Sequence, residues 1–151
     1  MNLLVTGAAG FIGSNFVHWW RDRHTSDTVV ALDALTYAAE PANIAGLDVE
    51  LIQTDIADTE RVRSAIETHR IEVVLNFAAE SHNSRAVLDP SRFFRTNVLG
   101  TLSLLEACRQ AGMVRLHHVS TCEVYGLHFY TLNRHHSAQE ILGLLRSEGR
   151  V

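Results

Sequence analysis

The sequence contains no lysine, since all 13 of its basic residues are arginine. Mechanisms that need a lysine amine, such as a Schiff base or a lysine beside a catalytic tyrosine, are therefore excluded within these 151 residues. Cysteine is nearly as scarce, because Cys108 and Cys122 are too few for a disulfide framework or a Cys-rich zinc site. We accordingly predict neither a disulfide scaffold nor a metal site.

A strong charge and a long apolar run are also missing. The formal net charge of −4 gives no basis for binding nucleic acid or an anionic membrane surface. No apolar stretch approaches the ~20 residues of a membrane-spanning helix. Residues 1–10 lack the basic segment of a signal peptide. We expect a cytoplasmic protein that has neither nucleic acid nor a membrane as a partner.

The sequence does contain a regular alternation of two kinds of segment. Short apolar runs predict five strands, at 2–6, 28–33, 49–53, 72–77 and 115–120. Longer stretches with apolar residues at helical spacing predict helices at 11–24, 59–69 and 91–111. Because strands alternate with helices, the connections are βαβ crossovers. The predicted fold class is α/β, with a doubly wound parallel sheet of about five strands.

A glycine-rich turn follows the first predicted strand. Gly7, Gly10 and Gly13 permit a tight turn, close approach of the backbone to a pyrophosphate, and close packing of the next helix. The N–H groups at the start of that helix suit a phosphate. Asp33, 20 residues after Gly13, would accept hydrogen bonds from ribose hydroxyls and repel a 2′-phosphate. The pattern predicts a site for NAD rather than NADP, with a purely structural turn as the alternative.

Further motifs follow the glycine turn in a fixed order. They are Asp33-Ala-Leu-Thr-Tyr37, Asp55-Ile56, Phe77-Ala-Ala-Glu-Ser-His82, Thr96-Asn-Val-Leu-Gly-Thr101 and His117-His-Val-Ser-Thr-Cys-Glu-Val-Tyr-Gly126. With the G-x-x-G-x-x-G spacing of residues 7–13, they resemble the extended short-chain dehydrogenase/reductases, and among these the nucleotide-sugar 4,6-dehydratases. The resemblance covers residues 1–126 and implies a Rossmann-type NAD-binding domain there, followed by a divergent tail at 127–151.

The resemblance also implies an activity. Such enzymes are lyases of deoxysugar biosynthesis. They use NAD to take a hydride from C4 of a nucleotide-linked glucose, eliminate water across C5 and C6, and return the hydride to C6. The expected cofactor is therefore NAD, and the expected substrate is a nucleotide sugar, with dTDP-glucose foremost. Family members dimerise through helices equivalent to 91–111, so we expect a homodimer or self-association.

Carried over residue by residue, the resemblance predicts which residues bind the cofactor. The glycine turn would face the pyrophosphate, 33–36 the adenosine ribose, 55–56 the adenine, and 77–81 with Thr96 the nicotinamide side. The predicted set is Gly7, Gly10, Phe11, Ile12, Gly13, Asp33, Ala34, Leu35, Thr36, Asp55, Ile56, Phe77, Ala78, Ala79, Glu80, Ser81 and Thr96.

Three consecutive residues near the last predicted strand carry the implied chemistry. Glu123 matches the family's base at C5, and Thr121 matches its hydrogen-bonding partner for the substrate, which Ser81 would also contact. Ligands of such folds bind at the carboxyl ends of the strands. Cys122 stands where most of these dehydratases carry an aspartic acid that protonates the departing C6 hydroxyl. A thiol with a pKa of ~8.5 can hold that proton, but it is a weaker acid. The alternatives are a solvated loop acid at 123 and a small strand-end residue at 122.

Two parts of the family pattern are absent from this sequence. The family's Tyr-x-x-x-Lys pair cannot form without lysine. Tyr130 and Arg134 have that spacing but follow Glu123 too closely to match it. The sugar-nucleotide-binding C-terminal domain is absent as well, so we expect a truncated domain that corresponds to the N-terminal part of such an enzyme. In the tail, Ser137 and Glu140 form a capping box that predicts a short helix.

These departures leave three interpretations open. The chain derives from a nucleotide-sugar 4,6-dehydratase and is impaired in catalysis, or it is a non-catalytic Rossmann fragment that holds NAD. The third interpretation is a relative of the nucleotide-sugar epimerases and decarboxylases, since decarboxylases of UDP-glucuronate carry serine where Cys122 stands.

Overall fold

Five parallel strands form one sheet in the part of the chain that the computed structural model describes, residues 1–112, 114–121 and 124. The strands are β1 (Asn2–Thr6), β2 (Thr28–Asp33), β3 (Glu50–Gln53), β4 (Val73–Asn76) and β5 (Arg115–His118). Their order in the sheet is β3-β2-β1-β4-β5. The direction of winding reverses between β1 and β4, which creates a crevice at the carboxyl ends of the strands. The predicted doubly wound parallel sheet is confirmed.

The central strands are buried on both faces. Leu3, Leu4 and Val5 of β1 are at most 1% exposed. Leu4 packs in a cluster with Val74 on one face, and Val5 packs in a second cluster with Ala31 on the other. Because helices cover both faces, the strands carry continuous apolar runs instead of an alternating pattern.

Helices of very different lengths connect the strands. α1 (Phe11–Arg23) and α2 (Thr59–Thr68) match the predicted helices to within one residue at each end. The carboxylate of Asp58 caps α2 by accepting the Arg61 N–H at 3.1 Å. The sequence pattern did not predict the short helix α3 (Asn83–Leu88) or the 3₁₀ turn Pro41–Ile44.

The predicted helix at 91–111 is present, but it changes pitch along its length. It consists of α4 (Pro90–Phe93), a π-helical segment Phe94–Gly100 and α5 (Thr101–Gln110) in direct succession. A Cβ atom at Gly100 would lie 2.7 Å from side-chain carbons of Ile56. Glycine therefore lets the helix approach that side chain closely at the end of the widened turns, and such turns are frequent at functional sites.

The chain divides into two units, residues 1–119 and residues 120–151. In the second unit the structure describes Ser120, Thr121 and Val124. The predicted boundary at residue 126 and the predicted short helix of the tail lie outside the described residues, and both stay predictions. In the described part of the chain, no helix has the length and apolar character needed to span a membrane.

Candidate functional site

A pocket opens at the carboxyl ends of β1 to β4, where the winding of the sheet reverses. Its empty volume is about 650 Å³ when the part open to solvent is included. Its lining residues are Gly7, Gly10, Asp33, Ala34, Thr36, Ala38, Ala39, Asp55, Ile56, Phe77, Ala78, Ala79, Glu80 and Thr96. All of these except Ala38 and Ala39 belong to the cofactor-binding set predicted from the sequence. Five segments that are far apart in sequence therefore meet at one site.

The glycine turn after β1 is packed so tightly that side chains would not fit at two of its positions. Gly7 has a φ of +64°, and a Cβ atom there would lie 2.7 Å from the Ala78 backbone nitrogen. A Cβ atom at Gly13 would lie 2.1 Å from the Gly7 carbonyl oxygen. The glycines thus bring the start of α1 against the end of β1. Because they have no side chains, the backbone of the turn is accessible from the pocket.

The start of α1 is arranged to receive an anion. No side chain caps this helix, so none competes for the N–H groups of its first turn. Phe11 and Ile12 are 83% and 62% exposed, which leaves this end of the helix accessible. Unpaired N–H groups and the partial positive charge of the helix end favour a phosphate there.

Asp33 is a buried carboxylate, 7% exposed, at the end of β2. One carboxylate oxygen accepts the Ala9 N–H at 2.9 Å and the other accepts the Leu35 N–H at 2.9 Å. Each oxygen has a second lone pair, so the carboxylate can still accept two hydroxyl groups from a ligand. This geometry suits the vicinal hydroxyls of a ribose.

The loop after β2 folds back onto the glycine turn. The Ala9 carbonyl accepts both the Glu40 N–H and the Asn43 side-chain amide, each at 3.0 Å. This anchoring brings Ala38 and Ala39 into the pocket wall, a placement that the sequence pattern did not predict. A signal was present in the sequence, because two alanines directly after Tyr37 give a wall without bulky side chains.

The loop after β3 contributes a polar and an apolar group. One Asp55 carboxylate oxygen accepts the Ala57 N–H at 2.9 Å, and the other pairs with the Arg95 guanidinium at 3.0 Å. Ile56 is buried beneath the pocket, against Gly100. A carboxylate beside an apolar wall matches a flat heterocycle that carries an amino group.

The loop after β4 is held by the π-helical segment. The Glu80 N–H donates to the Asn97 side-chain oxygen at 2.9 Å, and the Asn97 amide donates to the Glu80 carbonyl at 2.9 Å. The Glu80 carboxylate accepts the Tyr37 hydroxyl at 2.9 Å. Partial burial and this hydrogen bond to Glu80 both raise the pKa of Tyr37. The loop after β2 and the loop after β4 form the two rims of the pocket. This hydrogen bond between Tyr37 and Glu80 brings the two rims into direct contact.

Some predicted residues do not line the pocket. Phe11, Ile12, Gly13, Leu35 and Ser81 lie within three positions of a lining residue in the chain but are not part of the wall. Their predicted roles through backbone groups or toward a sugar stay predictions. Leu35 has a φ of +53°, an unusual conformation that turns the chain directly after Asp33.

The structure describes only one of the three residues predicted to carry the chemistry. Thr121 is exposed, and its carbonyl accepts the Val124 N–H at 3.4 Å. Cys122 and Glu123 lie outside the described residues, as do Tyr130 and Arg134. Within the described ranges, no group of His, Cys, Asp or Glu side chains could hold a metal ion.

The pocket suits an elongated ligand with a phosphate near its middle. The helix end supplies positive potential, and Asp33 supplies acceptors for two hydroxyls. The charged side chains in the wall are all acidic, namely Asp33, Asp55 and Glu80. An additional phosphate next to Asp33 would meet like charge in a buried setting, which is unfavourable.

Comparisons with known proteins found a matching family model and similar curated proteins. A model of the NAD dependent epimerase/dehydratase family matches residues 3–139. Over 128 residues the chain is 50% identical to dTDP-glucose 4,6-dehydratase of Mycobacterium tuberculosis, which covers 83% of this chain and 38% of that protein. The chain therefore spans about 38% of the length of this curated relative.

Two solved structures are similar in both fold and sequence. A dTDP-glucose 4,6-dehydratase from Streptomyces venezuelae, solved with NAD bound, has a TM-score of 0.75 and 42% identity over 83% of this chain and 41% of its own. A UDP-glucose-4-epimerase from Stenotrophomonas maltophila, also with NAD bound, has a TM-score of 0.75 and 32% identity over 83% of this chain and 38% of its own.

Proposed function

The chain belongs to the NAD-dependent epimerase/dehydratase family, and on that premise we propose that residues 1–126 form an NAD-binding domain. The observation that carries the proposal is the buried Asp33 carboxylate, which faces the pocket beside the bare glycine turn. The α1 N-terminus would hold the pyrophosphate, Asp33 the adenosine ribose, and Asp55 with Ile56 the adenine. Thr96 and the loop after β4 would lie along the nicotinamide half.

Equilibrium dialysis of the 151-residue chain against NAD and NADP tests this proposal. We expect NAD to bind at least about tenfold more tightly than NADP, because the 2′-phosphate would oppose the Asp33 carboxylate. Tighter binding of NADP, or no binding of either, would contradict it.

The proposed substrate is a nucleotide sugar, dTDP-glucose foremost, and the proposed reaction is 4,6-dehydration. Support comes from the 50% identity to a dTDP-glucose 4,6-dehydratase and from the match of residues 117–126 to the family motif. When bound, NAD would accept the hydride that leaves C4 of the sugar. The rest of the chemistry falls to side chains of the protein.

Glu123 is the proposed base of the reaction. Oxidation at C4 acidifies the C5 hydrogen, so a carboxylate can remove it as a general base. Thr121 would hold the substrate by a hydrogen bond. Cys122 would donate its thiol proton to the hydroxyl that leaves C6 as water, a role in which a carboxylic acid is more effective.

We expect replacement of Glu123 by glutamine to separate the steps of this reaction. A chimera that joins residues 1–126 to the C-terminal part of a dTDP-glucose 4,6-dehydratase provides the full-length setting. In it, Glu123→Gln should leave hydride transfer intact and slow water elimination by about 100-fold or more, because shape is kept while proton abstraction is lost. Single-turnover absorbance of NADH and analysis of the 4-keto-6-deoxy product report the two steps. Glu106→Gln, on α5, is the matched control, and elimination at the parental rate in Glu123→Gln would refute the assignment.

A second candidate function is a binding module that holds NAD without turnover. The absence of lysine favours it, because the family's Tyr-x-x-x-Lys pair cannot be assembled from these residues. An assay of the 151-residue chain with dTDP-glucose distinguishes the two functions. A relative of the epimerases or decarboxylases would instead interconvert or decarboxylate a UDP-sugar in the corresponding assay.

The proposed partner, besides the substrate, is a second copy of the chain, and the proposed compartment is the cytoplasm. The helix at Pro90–Gln110 exposes a row of large apolar side chains, Phe94, Val98, Leu99, Leu102 and Leu105, each more than half exposed. Exposed apolar rows of this kind are typical of association surfaces.

We expect the chain to self-associate at micromolar concentration and Leu102→Glu to shift it to monomer. A charge in the centre of the apolar row would be desolvated in a dimer, whereas an exposed position tolerates it in the monomer. Light scattering reports the mass. Trp19→Glu, on α1, is the control, and a parental chain that is monomeric would contradict the proposal.

A further inference from the structure

The two rims of the candidate pocket are joined by a hydrogen bond between side chains. Tyr37 lies between the lining residues Thr36 and Ala38 in the loop after β2. Its hydroxyl reaches across to the loop after β4 and donates to the Glu80 carboxylate at 2.9 Å. These residues are 43 positions apart in sequence, so the contact exists only because the sheet places the two loops side by side.

The Glu80 end of this contact is fixed. Glu80 is 9% exposed, and both its N–H and its carbonyl are bound to the side chain of Asn97. A buried carboxylate that loses its donor is costly, because its desolvation is no longer compensated. The contact with Tyr37 is thus favoured wherever the loop after β4 keeps its position.

The Tyr37 end is the more exposed half of the contact. Tyr37 is 41% exposed, and the Arg85 guanidinium lies 3.6 Å from the centre of its ring. A cation over the ring face holds the phenol toward Glu80 without covering it. Such an arrangement stabilises the orientation of Tyr37 in which the hydroxyl points toward Glu80.

We propose that Tyr37 and Glu80 are positioning residues that form a strap across the dinucleotide and set the rate at which it leaves. The inference rests on the proposed NAD binding. A dinucleotide that extends from the α1 N-terminus past Asp33 to Thr96 lies between the two rims. Its departure requires the rims to separate, and separation breaks a hydrogen bond to a buried carboxylate. The same separation is needed for entry, so the strap slows both directions and changes the affinity little.

Stopped-flow kinetics on the full 151-residue chain test the strap. The NADH-loaded protein is mixed with a large excess of NAD, and the loss of bound NADH fluorescence gives the dissociation rate. Tyr37→Phe keeps the ring and its contact with Arg85 but removes the hydroxyl. We expect dissociation about tenfold faster, as for loss of one hydrogen bond to a charged group. The Kd should rise less than about threefold, and the preference for NAD over NADP should be unchanged.

Two further variants complete the test. Glu80→Gln keeps an acceptor for the tyrosine hydroxyl, so its dissociation rate should lie between those of the parent and Tyr37→Phe. Trp19→Phe changes an exposed aromatic residue of α1 that does not line the pocket, and it should leave the rate unchanged.

The remaining outcomes separate the strap from simpler roles. If Tyr37→Phe lowers the melting temperature without changing the dissociation rate, Tyr37 is only structural and the inference fails. If the dissociation rate and the Kd rise by the same factor, Tyr37 is an ordinary binding contact and the strap is refuted. If the parental chain binds no NADH, the proposed NAD binding fails first and the inference fails with it.

Discussion

Gly13→Ala should abolish dinucleotide binding. The added Cβ atom would lie 2.1 Å from the Gly7 carbonyl oxygen and 2.8 Å from its carbonyl carbon. Both are backbone atoms, so no side chain can rotate to relieve the clash, and α1 must move away from the glycine turn. Because the helix start is the proposed phosphate site, we expect the affinity for NAD to fall at least about 100-fold, together with an overpacking cost of about 1–3 kcal/mol or more in unfolding free energy.

Gly46→Ala separates loss of binding from loss of stability. Gly46 has a φ of +80° with no atom within 4 Å of a Cβ position, so alanine there is strained but does not clash. It should cost about 1 kcal/mol of stability and leave the Kd for NAD at the parental value, since Gly46 is not in the pocket wall. Dialysis and thermal melts of the two variants measure both effects. Parental NAD affinity in Gly13→Ala would show that the turn is not the phosphate site.

The sheet could be predicted from the sequence because a strand that is buried on both faces has a continuous apolar run, which is visible in the local sequence. The run Leu3 to Val5 is continuous and apolar since each side chain meets a helix layer, and the predicted strand bounds of β1 and β2 match the structure. The ends of β3, β4 and β5 were predicted one or two residues too long. Strand ends depend on where the pairing with a neighbour stops, and this information is not local.

The π-helical segment could not be predicted from the sequence. Residues 91–111 have apolar side chains at ordinary helical spacing, and the wider turns coincide with three contacts to other parts of the chain. Arg95 forms an ion pair with Asp55. The side chain of Asn97 forms hydrogen bonds with the backbone of Glu80. Gly100 packs on Ile56. These are tertiary contacts, which the helical periodicity of the sequence does not predict.

The lining of the candidate pocket could be predicted where it consists of motif residues, and it was missed where it depends on the folding of a loop. The glycine turn, Asp33 and Glu80 could be located from spacing and resemblance. Ala38 and Ala39 reach the pocket only because the Ala9 carbonyl anchors the loop that follows them. The contact of Tyr37 with Glu80 likewise needs the parallel arrangement of β2, β1 and β4 to exist.

The second large effect is expected at Asp33, where Asp33→Ala should abolish the preference for NAD. The carboxylate is buried, each oxygen already accepts one backbone N–H, and each retains one lone pair for a ribose hydroxyl. Alanine removes both acceptors and the negative charge. We expect the affinity for NAD to fall about 100-fold, as for loss of two hydrogen bonds to a charged group, and NADP to bind equally well or better.

Two related variants identify which property of Asp33 discriminates between the dinucleotides. Asp33→Asn keeps an acceptor oxygen but removes the charge, so it should lower the affinity for NAD less than alanine does and still lose the discrimination against NADP. Asp55→Asn removes a charge from the same pocket at a position paired with Arg95, and it should leave the ratio of the two affinities unchanged. Dialysis against both dinucleotides gives the ratios. If Asp33→Ala retains the parental preference for NAD over NADP, other residues recognise the 2′-position of the ribose. The role of the buried carboxylate is then confined to holding Ala9 and Leu35 in the turn.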